Sequence, residues 1–316
     1  MNALSWSRPF QILPTFKERV WGTTELSEWF PQAPSETIGE AWFTAADNRV
    51  CDGPALGELL RRYPKILGTG ASSDFSGMCP LLVKLLFTTA KLSVQVHPGD
   101  EYAGEHHHSL GKTEAWYVIE AGAGAEVALG FKKPISPEKL RSAAASGEIE
   151  ALLNWRAVHE GDFIFVPAGT VHAIGAGITI CEIQQNSDIT YRLYDYGRPR
   201  ELHLEDGSRV ADLGPYTAPA PIRQISAVRR LLVDSKYFAI EHLRQKGQPI
   251  RVAGGLPHYI LFVCLRGEGA IREQLFKKGQ VWLIPAGAEA FAIESGDAEW
   301  LLAYPGGESL PDISLG

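Results

Sequence analysis

Apolar residues gather in short runs punctuated by glycine and proline along most of this chain, a spacing that predicts many short β-strands rather than long helices. Leu81-Leu82-Val83-Lys84-Leu85-Leu86-Phe87, Ala115-Trp116-Tyr117-Val118-Ile119 and Phe163-Ile164-Phe165-Val166 are such runs. Leu92-Ser93-Val94-Gln95-Val96-His97 alternates instead, so Gln95 and His97 fall on one face of a strand. Helical signals are few. Gly57 to Tyr63 reads as a short helix stopped before Pro64. Pro137 to Ala145 has Ser136 as N-cap, proline at the first helical position and Gly147 as its stop. Glu148 to Trp155 reads as a second short helix, so a helical insert of about 136–156 interrupts the strands.

One strand-and-turn pattern occurs twice. Gly161, five residues, Pro167-Ala168-Gly169, two residues and His172 are matched by Gly279, five residues, Pro285-Ala286-Gly287, two residues and Ala290. The offset is 118 positions (285 − 167). Each copy is an apolar strand closed by a turn in which glycine supplies permissive backbone. This pattern resembles the second signature motif of the cupin superfamily, jelly rolls that hold a metal inside the barrel. The resemblance implies a mainly β fold: two cupin-type jelly-roll barrels, with the small helical insert in the N-terminal half. The proline-dense stretch 213–221 predicts the link between a metal-binding unit over 1–215 and a C-terminal cupin-like unit over 220–316. With Ala290 where the first copy has His172, the second unit is expected to have no metal site. Residues 306 to 316 read as a loose tail.

Length and charge narrow the function. A chain of 316 residues is more comfortable as two packed units than as one core. A net charge of −7 without a long basic tract gives no general attraction for nucleic acid or anionic lipid. A phosphorylated metabolite needs only a few local cations and stays admissible. No apolar stretch approaches the roughly 20 residues of a membrane span, and Met1 to Pro9 lacks the pattern of a signal peptide. Cys51, Cys79, Cys181 and Cys264 form no Cys-x-x-Cys pair, which argues against thiolate zinc and a disulfide framework. They read as buried small hydrophobes in a reducing cytoplasm.

The candidate chemistry lies in Gln95, His97, Glu114 and His172. A histidine in a strand is, taken singly, more often a hydrogen-bonded structural residue, and Glu114 alone has Lys112 as a neighbour to pair with. Together, in apolar strand contexts, two imidazoles, a carboxylate and an amide oxygen form a borderline-to-hard donor set suited to a divalent ion such as zinc. His106-His107-His108 reads as a polar loop near the mouth of the site, because consecutive positions do not converge on one ion. His159, His203, His242 and His258 have no ligand-like spacing and read as surface or hydrogen-bonding residues. Lys84 interrupts an apolar run, Lys112 precedes Glu114 by two positions, and Arg192 lies in Tyr191-Arg192-Leu193-Tyr194. A structural ion pair would explain each alone. An anionic ligand would explain all three.

At these residues the match becomes specific. Leu81-Leu82-Val83-Lys84, Leu92 to Pro98, Gly111-Lys112-Thr113-Glu114-Ala115-Trp116-Tyr117, Val166 to Ile174 and Glu182 to Asp188 resemble the type I phosphomannose isomerases in their short bacterial form. Ile38-Gly39-Glu40-Ala41-Trp42 and Tyr191 to Asp195 add to it; the resemblance is strong from Trp21 to about His203 and weak over the final hundred residues. It implies an enzyme with one Zn2+ per chain that interconverts mannose 6-phosphate and fructose 6-phosphate through an enediolate. Family zinc ligands fall on Gln95, His97, Glu114 and His172, and family active-site residues on Lys84, Lys112, Asp188 and Arg192. Lys112 or Asp188 is expected to transfer the proton, Arg192 to stabilise the oxyanion or phosphate, and Lys84 to hold the anionic end of the substrate. Longer members carry a histidine where Gly111 stands, so ring opening here falls to another group or to water. The rivals are another metal cupin, either an iron oxygenase or a cupin phosphoglucose isomerase, and a non-catalytic sugar-phosphate sensor. An amide-bearing donor set beside Lys and Arg favours the phosphosugar isomerase.

Overall fold

A computed structural model describes residues 6–68, 77–217, 222–308 and 310–315. The protein is mainly β, two cupin-type jelly-roll units with a small helical insert in the first. The first unit is built from two sheets. A six-stranded sheet runs in the order Thr15–Thr23, Ile38–Trp42, Leu81–Thr88, Ile178–Gln185, Glu114–Ala121, Phe163–Val166. A five-stranded sheet runs Tyr191–Tyr194, Val94–Val96, His172–Ile174, Glu126–Phe131, Leu153–Ala157. Leu86, Trp116 and Ile180 of the first meet Val127, Leu129 and Ile174 of the second in one buried cluster, the interior of the barrel.

Both sheets are covered on their outer faces as well. Val83, Leu85, Ala115, Tyr117 and Ile183 pack against Ile240, Leu261, Val263 and Leu301 of the C-terminal sheet. Leu140, Ala143, Ala144 and Ile149 of the insert cover Val94, Val96, Ala173 and Leu193. Strands buried on two faces need no polar alternation, which is why Leu81–Thr88 and Ile178–Gln185 are buried at every position.

The C-terminal sheet has eleven strands and includes Phe10–Ile12, which pairs with Val281–Ile284. The repeated turn has the same backbone in both units. Gly161 and Gly279 have φ of 88° and 84°, Gly169 and Gly287 of 90° and 67°. Register extends the comparison: Glu114 pairs with Val166, and Ile260 pairs with Ile284, the residue 118 positions on from Val166 (284 − 166). The second unit thus has Ile260 in place of Glu114 and Ala290 in place of His172. Its interior is filled by Ile260, Phe262, Trp282, Ile284 and Trp300.

Helix Pro137–Ser146 begins as expected, with the Ser136 side chain accepting from the Lys139 amide, and ends at Gly147 with φ 81°. Helix Leu56–Arg62 stops before Pro64. The second insert helix is shorter than its sequence implies. It covers only Ile149–Leu152, because Leu153–Ala157 pairs with Glu126–Phe131 and tertiary pairing overrides the local pattern. His106 and His107 end a helix, Asp100–His107, rather than lying in a loop, with His108 as its left-handed cap. Leu204–Val210 is a further helix without a clear local signal. The C-terminal stretch is not a loose tail where described: Ile313–Leu315 pairs with Ile250–Val252, and Arg229 donates to the carbonyls of Ile313 (3.0 Å) and Pro311 (2.9 Å). Of the proline-dense stretch, residues 218–221 lie outside the described residues. No helix among the described residues is long and apolar enough to cross a membrane.

Candidate active site

Three neighbouring strands of the five-stranded sheet and one strand of the facing sheet bring the polar residues together. Gln95 pairs across strands with His172 on one side and Arg192 on the other. Glu114 opens the Glu114–Ala121 strand and reaches across the barrel. One ligand atom each from His97, Glu114 and His172 lies within 4.8 Å of the others, and all three side chains are buried. His97 Nε2 is 3.4 Å from Glu114 Oε2, and His172 Nε2 is 3.4 Å from Glu114 Oε1. Gln95 Nε2 is 3.2 Å from His172 Nε2. Turning this amide over presents its oxygen to the same point.

The arrangement fits a cation. His97 Nδ1 is 2.8 Å from the carbonyl of Ile189 and His172 Nδ1 is 2.9 Å from that of Thr170, so each Nδ1–H donates and each Nε2 lone pair faces Glu114. Burial pushes His172 down to about 4 and His97 well below its usual value, which keeps both imidazoles neutral and able to ligate. Burial also raises Glu114, to about 7. Its Oε2 accepts no hydrogen bond, although the Lys112 ammonium lies 3.2 Å away. A fully buried carboxylate with one oxygen left without a hydrogen-bond donor, and with an imidazole lone pair against each of its oxygens, is what a bound divalent ion would satisfy.

Above these residues lies a cavity of about 450 Å³ lined by Lys84, Gln95, Lys112, Glu182, Asp188 and Arg192 among others. Lys112 Nζ sits 3.0 Å from His97 Nε2. Lys84 is buried and donates to Glu182 (3.0 Å) and Gln184 (2.7 Å), with the Trp42 ring 4.6 Å away. Burial alone would lower Lys84, but Glu182 and then Glu40 hold it above its ordinary value. Burial alone would raise Glu182, and Lys84 with Lys112 holds it down. Trp116 donates from Nε1 to both Glu114 (3.1 Å) and Glu182 (3.2 Å) and ties the two carboxylates together. Asp188 is exposed on the cavity wall.

Sequence reasoning passed over Glu182, whose charge in the buried run Ile178–Gln185 is the same signal that marked Lys84. It also set His203 aside, yet that residue lines the cavity together with Arg19 and Arg200. Local spacing carries no sign of this, because the return of the chain to Arg192 is made by tertiary hydrogen bonds such as His203 N to the Arg192 carbonyl, 2.7 Å. His106 and His107 turn away from the cavity: His106 stacks on Tyr102 at 3.9 Å, and His107 Nε2 lies 2.6 Å from the Tyr191 hydroxyl. His242 and His258 are buried and His159 is exposed. Cys51 is exposed, whereas the other three cysteines are buried as expected.

A side chain at position 111 has no room. A Cβ there would sit 2.6 Å from the Asp100 amide nitrogen and 2.6 Å from the Gly99 carbonyl carbon, both backbone atoms.

The phosphomannose isomerase type I catalytic-domain family matches residues 10–120. The mannose-6-phosphate isomerase of Streptococcus mutans is 36% identical over 319 residues, covering 94% of this chain and 98% of that protein. The chain belongs to the type I phosphomannose isomerases. Another member of the family, mannose-6-phosphate isomerase ManA of Bacillus subtilis, is 37% identical over 94% of this chain and 99% of its own. A crystal structure of the B. subtilis mannose 6-phosphate isomerase superposes with a TM-score of 0.84 at 32% identity, over 94% of this chain and 99% of that one.

Proposed function

We propose that the protein is a zinc-dependent mannose-6-phosphate isomerase, an aldose–ketose isomerase acting on a phosphorylated hexose. The observation that carries this reading is the convergence of His97, Glu114 and His172 beneath a cavity walled by Lys112, Asp188 and Arg192. Gln95, His97, Glu114 and His172 would hold one Zn2+ per chain, a nitrogen–oxygen set that suits this ion. When bound, the ion would polarise the substrate oxygens and offset negative charge developing on them.

The remaining work falls to this chain's own residues. Isomerisation takes a proton from C2 of the open-chain aldose, forms an enediolate, and returns a proton to C1, while the hydroxyl proton passes from O2 to O1 and the carbonyl moves to C2. Lys112 or Asp188, both at the cavity wall, carries that proton. Arg192 donates to the oxyanion or to the phosphate of the substrate. Lys84 keeps one N–H for a substrate oxygen, because Glu182 and Gln184 take the other two. Trp116, Leu86 and Ile174 surround the polar floor and keep water sparse. The three buried free cysteines suit a reducing cytoplasm. The same reading divides the chain into a catalytic unit over 1–215 and a C-terminal unit over 220–316, although Phe10–Ile12 joins the sheet of the second.

A coupled assay of mannose 6-phosphate conversion tests it. Turnover should vanish with chelator and return with zinc. Arg192→Ala should abolish turnover while zinc stays bound; full activity in that variant rejects its role. Absence of conversion in the zinc-restored protein rejects the whole reading.

A further inference from the structure

Resting on the function just given, we infer that the phosphate of the substrate is gripped at the rim of the cavity by Arg192, Arg19, Arg200 and His203, and not by Lys84. All four line the cavity. Each of the other cations there has a carboxylate close by: Lys84 has Glu182 at 3.0 Å, Lys112 has Glu114 at 3.2 Å, Arg19 has Glu40 at 2.9 Å, Arg200 has Asp195 at 2.6 Å. Arg192 has no ion pair among the described residues. Its Nη1 donates to the Glu201 carbonyl at 2.9 Å, and its Nε is buried without a hydrogen-bond partner. An unpaired buried guanidinium N–H is costly and marks where an acceptor is missing.

The neighbours are set as donors. Glu40 takes two N–H groups of Arg19 (2.9 and 3.1 Å) and the Glu18 carbonyl takes one from its Nη1 (3.0 Å), while Asp195 takes two of Arg200 (2.6 and 2.6 Å); both guanidinium planes are thereby fixed, and each keeps an Nη1 N–H that its carboxylate does not take. Burial, then Arg200, and to a smaller extent Arg19, push Arg192 below its ordinary value, so the three cations feel one another. His203 Nδ1 accepts the Arg192 amide at 3.2 Å, which leaves the ring proton on Nε2. Held in that tautomer, the imidazole offers its Nε2–H to an anion. Glu18 and Asp188 are the exposed carboxylates on the same wall. Lys84, with two N–H groups committed and its charge balanced, is the weaker phosphate ligand and is left to the sugar end.

Inorganic phosphate is the probe, titrated calorimetrically into the zinc-loaded full chain and used as a competitive inhibitor of turnover. His203→Ala and Arg200→Met should each weaken phosphate binding by about 10- to 100-fold, the range for a hydrogen bond to a charged group. KM for mannose 6-phosphate should rise in step, with kcat within about threefold. His203→Gln, which keeps an N–H, should recover most of the loss, a result that a packing defect would not give. Lys84→Met should lower kcat and leave phosphate affinity alone. Unchanged phosphate affinity in His203→Ala and Arg200→Met, or its loss in Lys84→Met, overturns the subsite. If the wild type binds phosphate through these residues yet does not convert mannose 6-phosphate, the subsite stands and the isomerase reading falls.

Discussion

A carboxylate with 0% exposure whose outer oxygen accepts no hydrogen bond is a costly thing to fold around, and Glu114 is one. Trp116 satisfies its other oxygen, and the Nε2 atoms of two imidazoles face it. Glu114→Gln tests what this cost is for. The amide keeps the shape and removes the charge, so a purely structural residue would tolerate it. The expected result is a protein that melts near the wild-type temperature, retains less zinc after dialysis, and loses turnover by about 1000-fold or more, the rate equivalent of several kcal/mol. Normal zinc content in Glu114→Gln would remove the carboxylate from the donor set. The reciprocal change in the second unit, Ala290→His, should create no zinc site, because Ile260 stands where the first unit has Glu114.

At the scale of the element, the repeated strand and turn does different work in its two copies. Gly169 and Gly287 both have positive φ, which costs an L-residue about 1–2 kcal/mol. Gly287 has open space where a Cβ would go, whereas at Gly169 it would meet Asp212 Oδ2 at 2.9 Å. The Gly169 amide also donates to the carbonyl of His97, one of the proposed zinc ligands, at 2.9 Å. Gly287→Ala should therefore cost stability alone, and Gly169→Ala should cost stability and zinc affinity together, read by urea unfolding and metal titration. Equal zinc affinity in the two variants would uncouple the turn from the site. This repeat was legible because turn chemistry is local. The same holds for Ser136 and Gly147 at the ends of their helix. What could not be read was set by distant pairing. Trp155 pairs with Ala128 and leaves the helix its neighbours favour, and Lys84 meets Glu182 from 98 positions away. His203 enters the cavity because Leu204–Val210 packs against the Tyr191–Tyr194 strand, a contact without a sequence period.

Across the whole molecule, the strand that carries Glu114 is shared between the site and the second unit. Glu114 and Trp116 face the barrel interior, and Ala115 and Tyr117, which alternate with them in the pleat, face outward. Tyr117 stacks on His242 at 5.4 Å and donates to Glu299 at 2.9 Å. Arg230 donates to His242 Nδ1 at 3.1 Å, so His242 donates from Nε2 to Glu299, at 2.6 Å. Burial alone would raise Glu299, but these hydrogen bonds from His242 and Tyr117, with the charge of Arg244, bring it down to about 2. A carboxyl depressed on folding adds stability that is present above its unfolded value of about 4.3 and is lost as the pH falls towards 2. With 14% of the Glu299 side chain exposed, the contribution is on the order of 3 kcal/mol at neutral pH. Glu299→Gln should thus be less stable than the wild type by up to that amount in urea unfolding at pH 7. The gap should hold at pH 5 and narrow steadily from pH 4 downwards, as the wild-type carboxylate takes up its proton. Comparing the two proteins at each pH cancels the effects of the other titrating groups, including those at the proposed metal site. A gap that stays constant down to pH 3 would mean that Glu299 contributes shape rather than charge to the junction between the units.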